Sequence, residues 1–124
     1  MTPQELQLND LVLVADRVVK VTALGEYTIN GQPATMFHPI PLTTERLEAN
    51  RFKHKQDWSY SGRDFYAFPN NRVLEYKGFG IEYVNNELFY ITDHQLMPLI
   101  YFHELQHALR LCGLNEIADG LKIK

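Results

Sequence analysis

Two histidines and a glutamate near the C-terminus are the residues whose types and spacing most strongly suggest chemistry. His103, Glu104 and His107, with Leu105 and Gln106 between them, spell H-E-x-x-H. On a helix, histidines four positions apart lie on one face and can bind one zinc ion, while the glutamate acts as general base toward a zinc-bound water. One hypothesis is therefore a zinc-dependent hydrolase that uses these three residues.

A catalytic zinc also needs a third protein ligand, and the sequence supplies no obvious one. Arg110 and Gly113 occupy the positions where the extended form of the motif places a glycine and a histidine. Glu116 and Asp119 follow, but we expect no room in the short tail for a second helix that would deliver a distant glutamate. Three upstream histidines have spacings that predict no shared site, namely His38, His54 and His94.

The helical geometry also weighs against a metal centre. With Leu105 at the centre of the apolar face and about 100° per residue, His103 and His107 lie roughly 160° away, and Arg110 lies beside them. A pair opposite the core is expected on a solvated face, where it would hold a metal ion only weakly. We therefore predict an exposed histidine pair and assign no catalytic, cofactor-binding or metal-ligating residue. Zinc on His103 and His107, with Glu104 as base, is kept as the alternative.

Length and composition indicate one ordinary globular domain. The 124 residues are 45% hydrophobic and 22% charged, which excludes an intrinsically disordered chain. The net charge of -3 disfavours nucleic acid as a partner, because domains that bind nucleic acid are normally basic.

Three features predict a cytoplasmic protein with no membrane partner. Cys112 is the only cysteine, so no disulfide can form within the chain, and we expect it to be a small buried hydrophobe. The first 20 residues lack the basic and apolar regions of a secretory leader. The longest apolar run spans residues 96–102, whereas a membrane-spanning helix needs about 20 residues.

The pattern of apolar runs and turns predicts a single α+β domain over residues 1–124. Antiparallel strands at about 8–38, with turns at Asp16-Arg17 and Asn30-Gly31 and a returning strand at 34–37, are expected to form either a small SH3-like barrel or simple sheets. A short helix at about 43–51 follows, capped by Thr43. A meander of three to five antiparallel strands covers about 58–91, with residues 58–60 and 73–76 among the candidate strands, and a C-terminal helix at about 97–112 packs on it.

The C-terminal helix is predicted to contain Pro98 in its first turn and to end at Gly113. Its apolar face comprises Tyr101, Phe102, Leu105, Ala108, Leu109 and Cys112. Ten of the fifteen aromatic residues lie in the meander, so this face is expected to cover an aromatic-rich core. A ligand pocket would then be expected between the sheet and this helix.

A basic cluster follows the central helix and has two aromatic residues nearby. It comprises Arg46, Arg51, Lys53, His54 and Lys55, with Trp58 and Tyr60 as the aromatic neighbours. Such residues can contact phosphates and stack on bases. Because the cluster is short and the net charge is negative, we predict a solvated loop rather than a nucleic-acid site.

Five short blocks of the sequence, in the order in which they occur along the chain, form a recognisable set. They are residues 8–12 (LNDLV), residues 40–45 (IPLTTE) with 47–48 (LE) and 52–53 (FK), and residues 103–106 (HELQ). In this the chain resembles a group of short, uncharacterised proteins from Bacteroidales genomes and their prophages or mobile elements. In that group the positions of Glu104 and His107 are often occupied by the amide residues glutamine and asparagine, which implies a helix unrelated to metallopeptidases. The resemblance implies a bacterial or phage origin and a cytoplasmic setting, and it brings no catalytic residue with it.

Three functional hypotheses follow from these observations. The sequence offers few candidate catalytic residues. This observation and the resemblance favour a non-enzymatic binding or accessory protein, with a host or phage protein as one candidate partner. The second hypothesis is the zinc-dependent hydrolase on the H-E-L-Q-H helix. The third is a module that sequesters a small ligand or nucleotide in a pocket lined by tyrosine and phenylalanine.

Overall fold

The computed structural model describes residues 1–57, 63–67, 80–84, 87–92 and 95–123. Its N-terminal part begins with a turn of 3-10 helix at Pro3–Glu5, followed by strands β1 (Leu11–Val14) and β2 (Arg17–Lys20), which pair antiparallel. Ala15 and Asp16 form the turn between them, with φ of 49° and 61°. The predicted hairpin is confirmed, but its turn lies one residue earlier than expected because these two residues adopt the positive φ values of a type I′ turn.

A second hairpin joins β3 (Thr28–Ile29) and β4 (Gln32–Pro33) through Asn30-Gly31, as the sequence predicts. Asn30 and Gly31 have φ of 53° and 75°, the conformation for which this dipeptide is suited. The predicted position of the returning strand, residues 34–37, is wrong. Residues Ala34–Met36 form a turn of 3-10 helix, and the chain then pairs with β1 as β5 (Phe37–His38).

The N-terminal strands form two separate sheets. One has the order β2-β1-β5, and the other is the β3-β4 hairpin. This arrangement corresponds to the simple-sheet alternative, and an SH3-like barrel is not confirmed. The chain as a whole is an α+β protein.

The structure confirms the predicted central helix. Helix α1 spans Thr44–Ala49, and the Thr43 hydroxyl accepts a hydrogen bond from the backbone N–H of Arg46 at 3.2 Å. Leu42 and Leu47 are both buried in the same hydrophobic core, consistent with their staple spacing. The helix ends before Arg51, whose φ of 71° turns the chain away from helical geometry.

A five-stranded antiparallel meander follows, in the order β10-β9-β8-β7-β6. Its strands are β6 (Lys53–Asp57), β7 (Arg63–Ala67), β8 (Gly80–Val84), β9 (Glu87–Thr92) and β10 (Gln95–Leu99). The strands predicted at residues 58–60 and 73–76 lie outside the described residues.

Two strands of the meander occupy segments that were assigned otherwise from the sequence. β6 contains part of the basic cluster, where a solvated loop was predicted. β10 contains Pro98, which was predicted to start the C-terminal helix. A proline is tolerated here because β10 is the edge strand of the sheet, where one side of the backbone needs no ladder hydrogen bond.

The C-terminal helix, α2, spans Phe102–Leu111 and therefore begins later than predicted. It ends as expected at Gly113, which has φ of 75° and donates its N–H to Arg110 O at 2.9 Å, while Leu114 N–H bonds to Leu109 O at 2.9 Å. These two bonds form a Schellman cap. A short helix α3 (Asn115–Gly120) follows, so the expectation that the tail has no room for a second helix is wrong.

Among the described residues, the larger of two hydrophobic cores holds α1, the meander, α2 and α3 together. Leu105 and Leu109 of α2 pack with Ile81, Leu88 and Leu99 of the sheet, which confirms that the C-terminal helix covers the meander. The smaller core lies under the N-terminal sheets and comprises Leu6, Val12, Val21, Ile29, Ala34 and Phe37. Across the described residues, no helix has both the length and the apolar character needed to cross a membrane.

Candidate functional site

Helix α2 is enclosed on two sides, which corrects the prediction of a solvated polar face. The side chains of His103 and Gln106 are only 5% and 1% exposed, and His107 is half-buried. The angular positions derived from the helical wheel still hold, because Leu105 and Leu109 face the meander. The opposite side is buried because residues 7–11, from the other end of the chain, pack against it.

Asp10 is the centre of this second contact and is fully buried. One carboxylate oxygen accepts from the backbone N–H of Gln7 at 2.8 Å and lies 2.5 Å from His107 Nε2. The other oxygen accepts from the Arg110 guanidinium at 2.5 Å. Arg110 is held in place by Gln7 Oε1 at 3.1 Å and by Asp119 on α3 at 3.2 Å.

The amide of Gln106 completes the contact from the same face of α2. Its Oε1 accepts from the backbone N–H of Leu11 at 2.9 Å. Its Nε2 donates to the carbonyls of Asn9 at 3.2 Å and Ala118 at 3.3 Å. We call Asp10, Gln106, His107 and Arg110 the Asp10 junction, since they join the N-terminal segment, α2 and α3.

His103 lies beside the junction and is enclosed by rings. Its imidazole stacks on Tyr101 with ring centroids 5.8 Å apart, and it meets the edge of His107 at 5.5 Å. Its Nδ1 is buried without a hydrogen-bond partner in the described part of the chain. Burial lowers the pKa of His103, and the neighbouring His107 lowers it further, against the smaller opposing effects of Asp10, Glu104 and Glu5. The ring is therefore favoured in its neutral form.

Glu104 caps its own helix. Its Oε1 accepts from the backbone N–H groups of Ile100 at 3.0 Å and Tyr101 at 2.8 Å. A carboxylate at a helix N-terminus satisfies donors that have no partner within the helix, and it also interacts favourably with the helix dipole. The residue that would be the general base of a zinc hydrolase thus has a structural partner here.

The three residues of the H-E-x-x-H sequence therefore lie together on α2, and each of them makes contacts that support the fold. Over the described residues, no group of three or more His, Cys, Asp or Glu is arranged to hold a metal ion. His38 is exposed on the N-terminal sheet, while the side chains of His54 and His94 lie outside the described residues. The arrangement of these groups is that of a buried junction between distant parts of the chain.

Only two members of the basic cluster, Arg46 and Arg51, have side chains within the described part of the chain. Arg46 donates to its own chain, at the carbonyl of Pro41 (2.9 Å), and Arg51 is exposed in the turn after α1. The side chains of the remaining cluster members lie outside the described residues, as do both aromatic neighbours: Lys53, His54, Lys55, Trp58 and Tyr60.

A cleft of about 650 Å³ lies where α1 begins beside strands β8, β9 and β10. Its described lining combines apolar, hydroxylic and acidic residues: Leu42, Thr43, Thr44, Glu45, Tyr83, Glu87, Leu88, Phe89, Pro98, Leu99 and Ile100. Leu42, Leu88 and Leu99 are buried, whereas Glu45 and Glu87 are exposed. None of the described lining residues is basic.

The position of this cleft differs from that of the pocket expected from the sequence. The meander provides one wall as expected, and Tyr83 and Phe89 are two of its aromatic residues. The other wall is the start of α1, and no residue of α2 lines the cleft. Sequence reasoning missed Glu45 and Glu87 as site residues, because nothing in their spacing reveals that β9 lies beside α1.

Comparison with known proteins gives no match to any family model, any curated protein or any solved structure.

Proposed function

We propose that this protein is a non-enzymatic binding protein and that the cleft between α1 and the meander is its binding site. The observation that carries the proposal is the cleft itself, whose volume of about 650 Å³ falls within the roughly 300–1,000 Å³ typical of small-molecule sites. Its lining combines buried leucines with a few exposed polar side chains, which is a usual composition for such a site.

The structural use of the H-E-x-x-H residues supports the non-enzymatic part of the proposal. A general base must lie within hydrogen-bond reach of the proton that it takes from a substrate or water. Glu104 instead accepts two backbone hydrogen bonds, and His107 is in contact with the buried carboxylate of Asp10. These contacts give Glu104 and His107 a structural role that requires no catalytic reaction.

The resemblance of the ordered sequence blocks extends the proposal to a setting. It favours the cytoplasm of a bacterium, with origin in a phage or mobile element. Acidic residues at the mouth of the cleft disfavour nucleotides and nucleic acids as occupants, because phosphate groups would meet Glu45 and Glu87. A small molecule or a group on a partner protein of the host or phage fits the proposal.

Ligand mapping on the full chain by NMR tests the proposal. A library of fragments with positive, neutral and negative charge is added to isotope-labelled protein, and backbone amide shifts are followed. We expect binders to shift the amides of the lining residues. Ile100→Arg, at a lining side chain that is 58% exposed, should abolish these shifts, since the long side chain obstructs the mouth.

The matched control is Leu111→Arg, which places the same charge at a side chain that is 78% exposed and does not line the cleft. It should leave the shifts unchanged. Absence of any binder at the lining residues, or turnover of any compound in the library, would overturn the proposed function.

A further inference from the structure

We infer that the cleft takes a small organic cation with an apolar body, such as an ammonium group on an alkyl or phenylalkyl chain. This inference rests on the proposed function and adds the chemical class of the ligand. It follows from the combination of charge at the mouth, apolar surface at the floor and the volume enclosed.

The charge at the mouth has one sign. Glu45 lies in the first turn of α1 and Glu87 begins β9, so two elements that are distant in sequence each bring a carboxylate to the same cleft. Neither carboxylate forms an ion pair within the part of the chain that the structure describes. The charged groups of the described lining are therefore both negative, which favours a cation over an anion.

The floor requires that the cation carry an apolar body. Leu42, Leu88 and Leu99 present buried aliphatic surface, and burying a ligand's apolar atoms against it is favourable at about 25 cal/mol per Å². Tyr83 and Phe89 add aromatic rings, which attract cations over their faces. A bare metal ion or a small hydrated cation would make no use of this surface.

The volume favours a small molecule over a partner protein as the source of the cation. About 650 Å³ lies in the middle of the range for single drug-sized ligands. A stable protein partner would bury about 800 Å² on each side, which a cleft with eleven described lining residues does not provide alone. We therefore assign a free organic cation rather than a lysine or arginine of a docked chain.

Three probes with the same body and different charge test this assignment: phenylpropylammonium, phenylpropanol and phenylpropionate. Their affinities for the full chain are measured by NMR titration of the lining amides at low and high salt. We expect the ammonium to bind about three- to tenfold more tightly than the alcohol at low salt, and the carboxylate to bind most weakly. High salt should reduce the difference between ammonium and alcohol.

Charge-removing variants localise the effect. Glu45→Gln and Glu87→Gln should each weaken ammonium binding about two- to fivefold and leave phenylpropanol binding unchanged, since exposed charge pairs contribute about 0.2–1 kcal/mol. Glu48→Gln is the matched control, because Glu48 lies on the same helix, is exposed and does not line the cleft. It should change neither affinity by more than about 1.5-fold.

Each alternative outcome separates the inference from the proposed function. If the alcohol or carboxylate binds at the lining residues as tightly as the ammonium, or if Glu45→Gln and Glu87→Gln have no effect, the ligand class is wrong while the cleft remains a binding site. If a lysine-rich peptide binds there and the free amine does not, the occupant is a partner protein and the inference is overturned. If no probe or fragment of any charge shifts the lining amides, both the inference and the proposed function fail.

Discussion

The Asp10 junction and the cleft are two polar regions with opposite character. The junction contains residues with the appearance of a catalytic motif, yet its donors and acceptors are matched and its central carboxylate is fully buried. The cleft shows no recognisable motif, yet two carboxylates stand exposed above apolar surface. Polar groups that are buried must be paired for the fold to be stable, whereas a binding site needs groups that remain available.

The two regions also differ in what holds them. The hydrogen bonds of the junction to the N-terminal segment join residues that are 95 to 103 positions apart in the sequence, so they fix this segment onto α2. The cleft is shaped by elements that the larger core already holds in place, namely α1 and the edge of the meander. We therefore expect changes in the junction to affect the free energy of unfolding and changes in the cleft to affect ligand affinity.

The largest effect is expected from Asp10→Ala. Removing this carboxylate leaves Arg110 and His107 without their partner in a buried site, which typically costs about 3–5 kcal/mol. Since solvent reaches both partners in part, we expect about 3 kcal/mol, measured as the change in free energy of unfolding in urea. Under conditions where the variant is folded, its cleft should bind ligand as the parent does.

Asp119→Ala is the control for Asp10→Ala. Asp119 pairs with the same Arg110, but its side chain is 41% exposed. Exposed ion pairs contribute about 0–1 kcal/mol, so the loss should stay below about 1 kcal/mol. Equal losses for the two variants would contradict the central role of Asp10.

Gln106→Met is expected to have the second-largest effect. The substitution preserves volume but removes the Gln106 partner of the Leu11 N–H and the Asn9 carbonyl, while the Ala118 carbonyl keeps its bond from Leu121 N–H at 3.4 Å. An unsatisfied buried polar group costs about 1–3 kcal/mol, and we expect about 2 kcal/mol in total after local relaxation. Gln32→Met, at an exposed position of β4, should change the free energy of unfolding by less than about 0.5 kcal/mol.

The pH dependence of stability is expected to follow His103. The pKa of this ring is lowered in the folded protein by burial and by His107, so the unfolded chain takes up the proton first as pH falls. Stability is therefore lost below about pH 6.5, by up to about 1.4 kcal/mol for each pH unit, until the folded ring is protonated too.

His103→Gln should remove this component, so the difference between parent and variant in urea unfolding isolates it from the carboxylates that titrate nearby. The nearest of these are Asp10, Glu104 and Glu5. His38→Gln, at an exposed histidine, should leave the profile as it is in the parent. A parent profile that is flat between pH 7 and pH 5 would show that His103 is not protected from protonation.

Local signals predicted local structure well in this chain. Asn30-Gly31 specified its hairpin, Thr43 its helix cap and Gly113 the end of α2, because each acts through backbone geometry within a few residues. The prediction that Pro98 starts a helix was wrong because the fixed φ of proline suits both a first helical turn and an edge strand. Which of these occurs is decided by pairing with β9, a contact that Pro98 itself does not encode.

The candidate site was predicted less well, for a physical reason. The helical wheel located His103 and His107 on one side of α2 but could not show what covers that side. The covering group, Asp10, lies 97 residues from His107, and nothing in the sequence links a single aspartate to that position. The cleft was missed in the same way, since Glu45 and Glu87 meet only through the packing of α1 beside the meander.

The smallest effect is expected at Glu104, which lies on the same helix as three residues of the Asp10 junction. Its carboxylate holds the N–H of Ile100, and the Ile100 side chain lines the cleft. Glu104→Ala should cost about 1 kcal/mol of unfolding free energy through loss of the cap, and should weaken phenylpropylammonium binding about twofold because the cleft wall is less preordered. Glu104→Gln keeps an acceptor oxygen and should remain within about 0.5 kcal/mol of the parent, with unchanged binding. Equal losses for glutamine and alanine would show that the charge of the carboxylate, rather than its acceptor oxygen, supports the start of the helix.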